Sequence, residues 1–178
     1  MTTTEIYSGG FNTTRRNCGA ARLLCATVVR LFLAVGLVAA SGVALAAEPV
    51  AKSRLTGVAI GGHDSVAYHS LAKDPQAPSV AGKKSFVVKF KGAKWRFADQ
   101  ASADKFAAEP EKYSPAYNGH CANALSLGEG LIRTDGTHWE IFDDQLYLFF
   151  AARGRSRWND GNWQSYKTEA DAAWQQLK

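Results

Sequence analysis

Ten residues, Tyr113 to Ala122, bring together two tyrosines, a proline, a glycine, a histidine and a cysteine, in the order Tyr-Ser-Pro-Ala-Tyr-Asn-Gly-His-Cys-Ala. A thiolate beside an imidazole is a soft ligand pair suited to Cu(I) or Zn(II). His120 and Cys121 are sequence neighbours, however, and neighbours point apart on a helix or a strand. They could share an ion only where the backbone is irregular, as Gly119 would allow. No ligand type follows three or four residues on, and the paired spacings of structural zinc sites are missing. Further ligands would have to come from a distance, with His63, Asp64 and His69 the obvious suppliers.

The same thiol could instead be a nucleophile. That chemistry needs a positioned general base, for which His63, His69 and His138 are candidates that the sequence does not separate. There is no Cys-x-x-Cys or protease pattern, so the balance is against an enzyme. The third reading is structural. Free cysteine often serves as a small buried apolar residue, and Tyr113, Pro115 and Tyr117 would then be packing and turn residues. Under that reading His138 starts a strand and Asp64 caps a turn. If the role is recognition without a metal, Tyr113 and Tyr117 are the aromatic residues expected to contact a protein or small ligand.

Composition limits the classes. With 46% apolar and 21% charged residues, the 178-residue chain is ordinary globular protein rather than disordered. Its formal charge of +5 is concentrated at the start, where Arg15, Arg16, Arg22 and Arg30 face a single acid, Glu5. The remainder is close to neutral, which argues against nucleic-acid binding. Residues 1–46 read as a signal peptide: arginines, the apolar run Leu31–Ala40, then Ala44-Leu45-Ala46 for cleavage near Ala46/Ala47. A periplasmic or secreted protein is expected, with a membrane-anchored form as the alternative if the leader is kept. The apolar run is too short and too rich in glycine and alanine to span comfortably. Cys18 and Cys25 fall in the leader, so the mature chain has one thiol, Cys121, and no internal disulfide.

The elements that must position these side chains are two hairpins and several helices. After a polar lead-in, 47–56, and a glycine-closed turn, 57–62, Phe86, Val88 and Phe90 alternate with Lys89 and Lys91. Gly92-Ala93 is the expected turn, and Trp95 and Phe97 return toward the core. Asp99 is a predicted N-cap for a helix through Phe106 that stops before Pro110. A helix is predicted over His120–Leu127, ended by Gly128. A second hairpin turns at Asp143-Asp144, between Trp139-Glu140-Ile141 and Leu146–Phe150. Arg153 to Arg157 is read as a basic link whose arginines could meet phosphates or simply face solvent. Trp163, Tyr166, Ala170, Trp174 and Leu177 then form one face of a C-terminal amphipathic helix. The predicted fold class is α+β: a small antiparallel sheet built from the two hairpins, packed with several short helices and the C-terminal helix.

These pieces, in this order, resemble the YHS-domain family. The matching residues are Gly62-His63-Asp64-Ser65-Val66-Ala67-Tyr68, Lys94-Trp95-Arg96-Phe97-Ala98, and Phe106 to Tyr113. Pro115 to Ala122, Asp144 to Leu148, Trp158 and Trp174 complete them. They run from about Gly57 to Trp174, so residues 57–178 would be the YHS-like domain of an exported, single-domain member. The resemblance implies a module linked with metal handling, copper first and zinc otherwise. Its relatives beside metal-transporting pumps often carry several cysteines, whereas this chain keeps one. The expectation is therefore a carrier or sensor using Cys121, with His120, His63, Asp64 and His69 as further ligands. Its partner would be a metal ion or a metal-handling protein. The alternative is a metal-free binding module, and a thiol enzyme is the third possibility.

Overall fold

The computed structural model describes residues 49–178 apart from residue 75, all within one compact unit, Ala46–Lys178. The expected leader, its cleavage point and Cys18 and Cys25 lie outside the described residues. The architecture is α+β, as the sequence predicts. Each hairpin forms its own two-stranded antiparallel sheet, β1 (Lys83–Phe90) with β2 (Ala93–Phe97), and β3 (His138–Phe142) with β4 (Gln145–Phe149). Around them lie α1 (Ala67–Leu71), α2 (Gln100–Ala108), α3 (Pro110–Tyr113), α4 (Ala122–Ser126), α5 (Ala152–Asp160) and α6 (Trp163–Leu177). Short 3₁₀ turns occupy Ile60–Gly62 and Ala116–Gly119.

Both hairpins close with two-residue loops whose residues have positive φ: Lys91 and Gly92 in the first, Asp143 and Asp144 in the second. That geometry matches the right-handed twist of paired strands. The first turn is therefore Lys91-Gly92 and not the predicted Gly92-Ala93. Ala93 is a buried strand residue paired with Phe90.

β4 lies between two apolar clusters. Leu146 and Leu148 join Ile60, Tyr68, Trp95, Phe97, Phe106 and Trp139. Tyr147 and Phe149, on the opposite face, join Leu125, Trp158, Ala170 and Trp174. A strand buried on both faces has no polar alternation to show, which is why Leu146–Phe149 reads as a continuous apolar run. On β3, Glu140 faces the protein too, and its carboxylate accepts a hydrogen bond from Asn159 at 2.9 Å.

Helix ends follow local chemistry. Asp99 caps α2 by accepting from Ser102 N at 2.8 Å, and Pro110 opens α3 at a position where its missing N–H costs nothing. Arg153 to Arg157 belongs to α5 rather than to a link. Gly154 obscured this helix, and its position is filled from outside by the Asn123 side chain. Arg157 donates to Asn123 and Ser126, both at 3.0 Å, and its guanidinium lies 3.7 Å from the Tyr166 ring centre. α6 packs through Ala170 and Trp174 as expected, but Leu177 in its last turn is exposed.

One buried carboxylate ties the first half of the domain together. Asp64 is fully buried; its Oδ1 accepts from Val66 N and Ala67 N, and its Oδ2 accepts from Ala98 N at 2.9 Å, just past β2. Replacing it strands three backbone donors at once. Asp64→Ala should cost about 2–4 kcal/mol of stability, measured as a lowered urea midpoint. Asp64→Asn, which keeps one acceptor oxygen, should cost less.

Candidate functional site

The Tyr113–Ala122 stretch is irregular where the sequence suggests. Tyr117, Asn118 and Gly119 all have positive φ, and His120 is extended. α4 therefore begins at Ala122, not at the predicted His120. Cys121 is its N-cap, with Sγ accepting from Ala124 N at 3.4 Å. The same sulfur accepts from Phe150 N at 3.3 Å, so the buried thiol joins the start of α4 to the end of β4.

His120 faces elsewhere. Its Nδ1 lies 3.0 Å from the Tyr117 carbonyl and its ring is 6.0 Å from that of Trp174. The two neighbours line different cavities, His120 with Lys52 and Arg133, Cys121 with Glu129 and Arg153. The proposed remote ligands are separated as well. His63 Nδ1 lies 2.9 Å from the Asp135 carbonyl. Asp64 has its carboxylate occupied by backbone donors. His69, on α1, meets Tyr113 edge-on at 5.4 Å and lines a third cavity, shared with Asp64 and Tyr113. Among the described residues, no three His, Cys, Asp or Glu side chains gather closely enough to hold a metal ion. Nor is any helix there long and apolar enough to cross a membrane.

Of the two tyrosines, Tyr117 is the more enclosed. Tyr117 is buried, donates to Asp171 Oδ1 at 2.9 Å, and has its pKa driven up by burial and then by the Asp171 charge. Tyr113 is half-buried and lines a different cavity from Tyr117.

What the motif does position is the segment opposite it. Cys121 N donates to Ile132 O at 2.8 Å, His120 bridges to Arg133, and Thr134 Oγ1 donates to Gly119 O at 2.8 Å. This fixes Arg133 on the wall of a cavity of about 380 Å³, within the size range of small-ligand clefts. The facing wall is the 51–60 loop, held by Ile60 N to Ala51 O and by Ser53 N to Val58 O, and attached to β2 through a parallel bridge between Val58 and Lys94. Lys52, Ser53 and Thr56 come from that loop and Arg96 from β2; Thr134, Asp135 and Phe150 line the cavity as well. The walls meet at Gly61, where φ is +65° and any β-carbon would overlap the Asp135 carbonyl.

Three cations, Lys52, Arg96 and Arg133, share this cleft with one acid, Asp135. Lys52 donates to Gly92 O at 2.7 Å and Arg133 to Lys52 O at 3.0 Å, both to neutral carbonyls. Arg96 is half-buried, and its guanidinium has no hydrogen-bond or ion-pair partner among the described residues. The nearby acid, Asp135, has its carboxylate engaged by Thr137 through N at 2.9 Å and Oγ1 at 2.7 Å. Burial works against that carboxylate, but the Thr137 bonds and the His138 charge outweigh it and lower its pKa. The sequence reading missed this cleft because its cations come from three distant segments. Arg96 alone, between Trp95 and Phe97, is the ordinary polar face of a strand.

Compared with family models, curated proteins and solved structures, the chain matches none.

His120 lies beneath the adjoining part of the cleft, and burial lowers its pKa from 6.5, with Arg133 adding to the effect against the Tyr117 carbonyl. Burial also lowers that of His69, whose Nε2 is buried without a partner. A histidine held below its unfolded pKa contributes stability that is complete above that value and is lost as pH falls through the folded one. Stability should therefore fall as pH drops below about 6.5. Urea midpoints across that range should fall for the wild type and flatten for the His69→Gln, His120→Gln double variant.

Proposed function

We propose that this chain is an exported, YHS-type binding module that holds a small anionic ligand in the basic cleft between the 51–60 loop, β2 and residues 133–135. One observation carries the reading: Lys52, Arg96 and Arg133 converge on one cavity whose one acid, Asp135, is bonded to Thr137 and forms no ion pair with them. Gathering like charges in a concave, partly desolvated site is unfavourable until an anion enters, and such a site focuses a positive field. Guanidinium groups offer fixed forks of donors suited to carboxylate and phosphate oxygens. The YHS resemblance supports the framework side of the reading. Its marker residues Asp64, Tyr68, Trp95, Phe97, Phe106, Cys121 and Trp158 are all buried, so they carry the fold and leave ligand choice to the loops around it. The leader's composition supports export.

A second reading, capture of a copper or zinc ion by Cys121, is favoured by a separate observation. The thiol lines a cavity of about 80 Å³ that also contains Glu129. His120, His63, Asp64 and His69 have no place in it.

Two measurements test the pair of readings. Titration of the purified protein with phosphate, sulfate and dicarboxylates should show saturable binding that weakens with salt and drops at least about tenfold in Arg96→Ala, the loss of one charge-assisted contact. Binding of no anion, or equal binding by the variant, refutes the leading reading. Metal analysis after exposure to Cu(I) or Zn(II) should give equal content for wild type and Cys121→Ala. One ion per chain, lost in Cys121→Ala and kept in His120→Ala, would establish the second reading instead.

A further inference from the structure

Exposed apolar side chains surround the basic cleft. Phe150, 64% exposed, lines it. Leu131, 37% exposed, lines the adjoining cavity, which shares Lys52, Ser53 and Arg133 with it. Leu55, 97% exposed, sits at the tip of the 53–57 turn, between the cleft residues Ser53 and Thr56 and beside Arg54. A single exposed leucine is unremarkable. Phe150 on this cavity, Leu131 on the adjoining one and Leu55 on the turn that supplies Ser53 and Thr56 set apolar groups beside the cations, and apolar patches rimmed by polar residues mark binding surfaces.

The turn that presents Leu55 is built rather than loose. Gly57 N donates to Ser53 O at 2.9 Å and Thr56 N to Ser53 Oγ at 3.2 Å, while Gly57 O accepts from Lys94 N at 2.8 Å. The turn is thus pinned to β2, the strand that supplies Arg96. Phe150 is held just as firmly, its N–H donating to the Cys121 sulfur. The apolar side chains and the cations are set on the same fixed elements.

From this juxtaposition we infer that the ligand of the cleft is a phosphate monoester carried on a hydrocarbon group. Its phosphoryl oxygens would be taken by Arg96, Arg133 and Lys52, and its apolar part would lie against Phe150, Leu131 and Leu55. Two guanidinium forks and an ammonium against the one carboxylate of Asp135 leave a net charge that a dianion matches better than a monoanion. The hydroxyls of Ser53 and Thr56 are at hand as further donors. The inference rests on the assignment of the basic cleft as the ligand site, and it adds the class of ligand. A soluble alkyl phosphate and the headgroup of a phosphomonoester lipid present the same chemistry.

The test compares inorganic phosphate, hexyl phosphate and hexanol by calorimetry on the purified protein. It adds sedimentation with phosphatidylcholine vesicles, with and without phosphatidic acid. Hexyl phosphate should bind at least about tenfold more tightly than inorganic phosphate, the gain from burying two methylenes, and hexanol should not bind. Leu131→Ser, an exposed position whose change should leave the thermal midpoint unmoved, should reduce that advantage without altering inorganic phosphate binding. Retention on phosphatidic acid vesicles, lost in an Arg96→Ala, Arg133→Ala variant, would identify the lipid as the source. Binding of hexyl phosphate without such retention would identify a soluble ester. If hexyl phosphate and inorganic phosphate bind equally, the inference fails while the anion cleft stands. If neither binds, both fail.

Discussion

The domain depends on one strand being buried on both faces. β4 has no solvent side: Leu146 and Leu148 fill one core, and Tyr147 and Phe149 fill the other. A one-residue slip would exchange the two sets, placing a tyrosine where a leucine packs and orphaning its hydroxyl. The register is fixed by the two left-handed residues Asp143 and Asp144, whose turn leaves Phe142 opposite Gln145. Trp158 and Trp174 close one side and Trp139 the other, so large aromatic area is committed around a five-residue element. The end of that strand is where structure and site meet. Phe150 leaves the core, gives its N–H to Cys121 and lines the cleft.

Seen from β4, the cysteine–histidine motif is a joint. The Cys121 side chain accepts from the strand and from α4, and its backbone N–H binds Ile132. His120 sits over the Tyr117 carbonyl, and Thr134 binds back to Gly119. Three successive positive-φ residues make this possible, and two of them are not glycine. Left-handed tyrosine and asparagine cost stability, and the surrounding contacts offset it: Tyr117 is anchored to Asp171, and the Asn118 carbonyl accepts from Ala51 N at 3.0 Å. Asp64 performs the corresponding task in the first half of the chain. The side chains with the most evident chemistry have largely been used to fold the backbone around them.

Legibility in the sequence followed the range of the interaction. The hairpins, the Asp99 cap and the C-terminal helix were readable because their causes lie within a few residues: alternation, a carboxylate before a helix, aromatic spacing. The first turn lies one residue earlier than glycine alone suggests, because both loop positions need positive φ and Lys91 supplies one of them. The helix starts at Ala122 rather than His120 for a long-range reason. His120 is held extended by its bridge to Arg133, which propensity does not report. α5 was hidden by Gly154, whose lack of a side chain suits the approach of Asn123. Proximity in sequence also suggested that His120 and Cys121 act together, yet an extended residue followed by a helix cap sends them to different cavities.

The cleft was illegible for the same reason carried further. Lys52, Arg96 and Arg133 share no motif, and each alone is an ordinary surface cation. Their meaning comes from how the nearby acid is disposed. Asp135 is close enough to balance the cleft, but its carboxylate is drawn into the next turn by Thr137, while Lys52 and Arg133 are oriented by carbonyls that carry no net charge. Had Asp135 paired with Arg133, the cavity would be a solvated ion pair worth little. As folded, Asp135 offsets only part of the charge of the three cations, and burial, with the Arg133 charge adding to it, lowers the pKa of His120. An anion seated against Arg133 would offset the field at His120 and raise its proton affinity. The joint that positions the arginine is thereby coupled to whatever occupies the cleft.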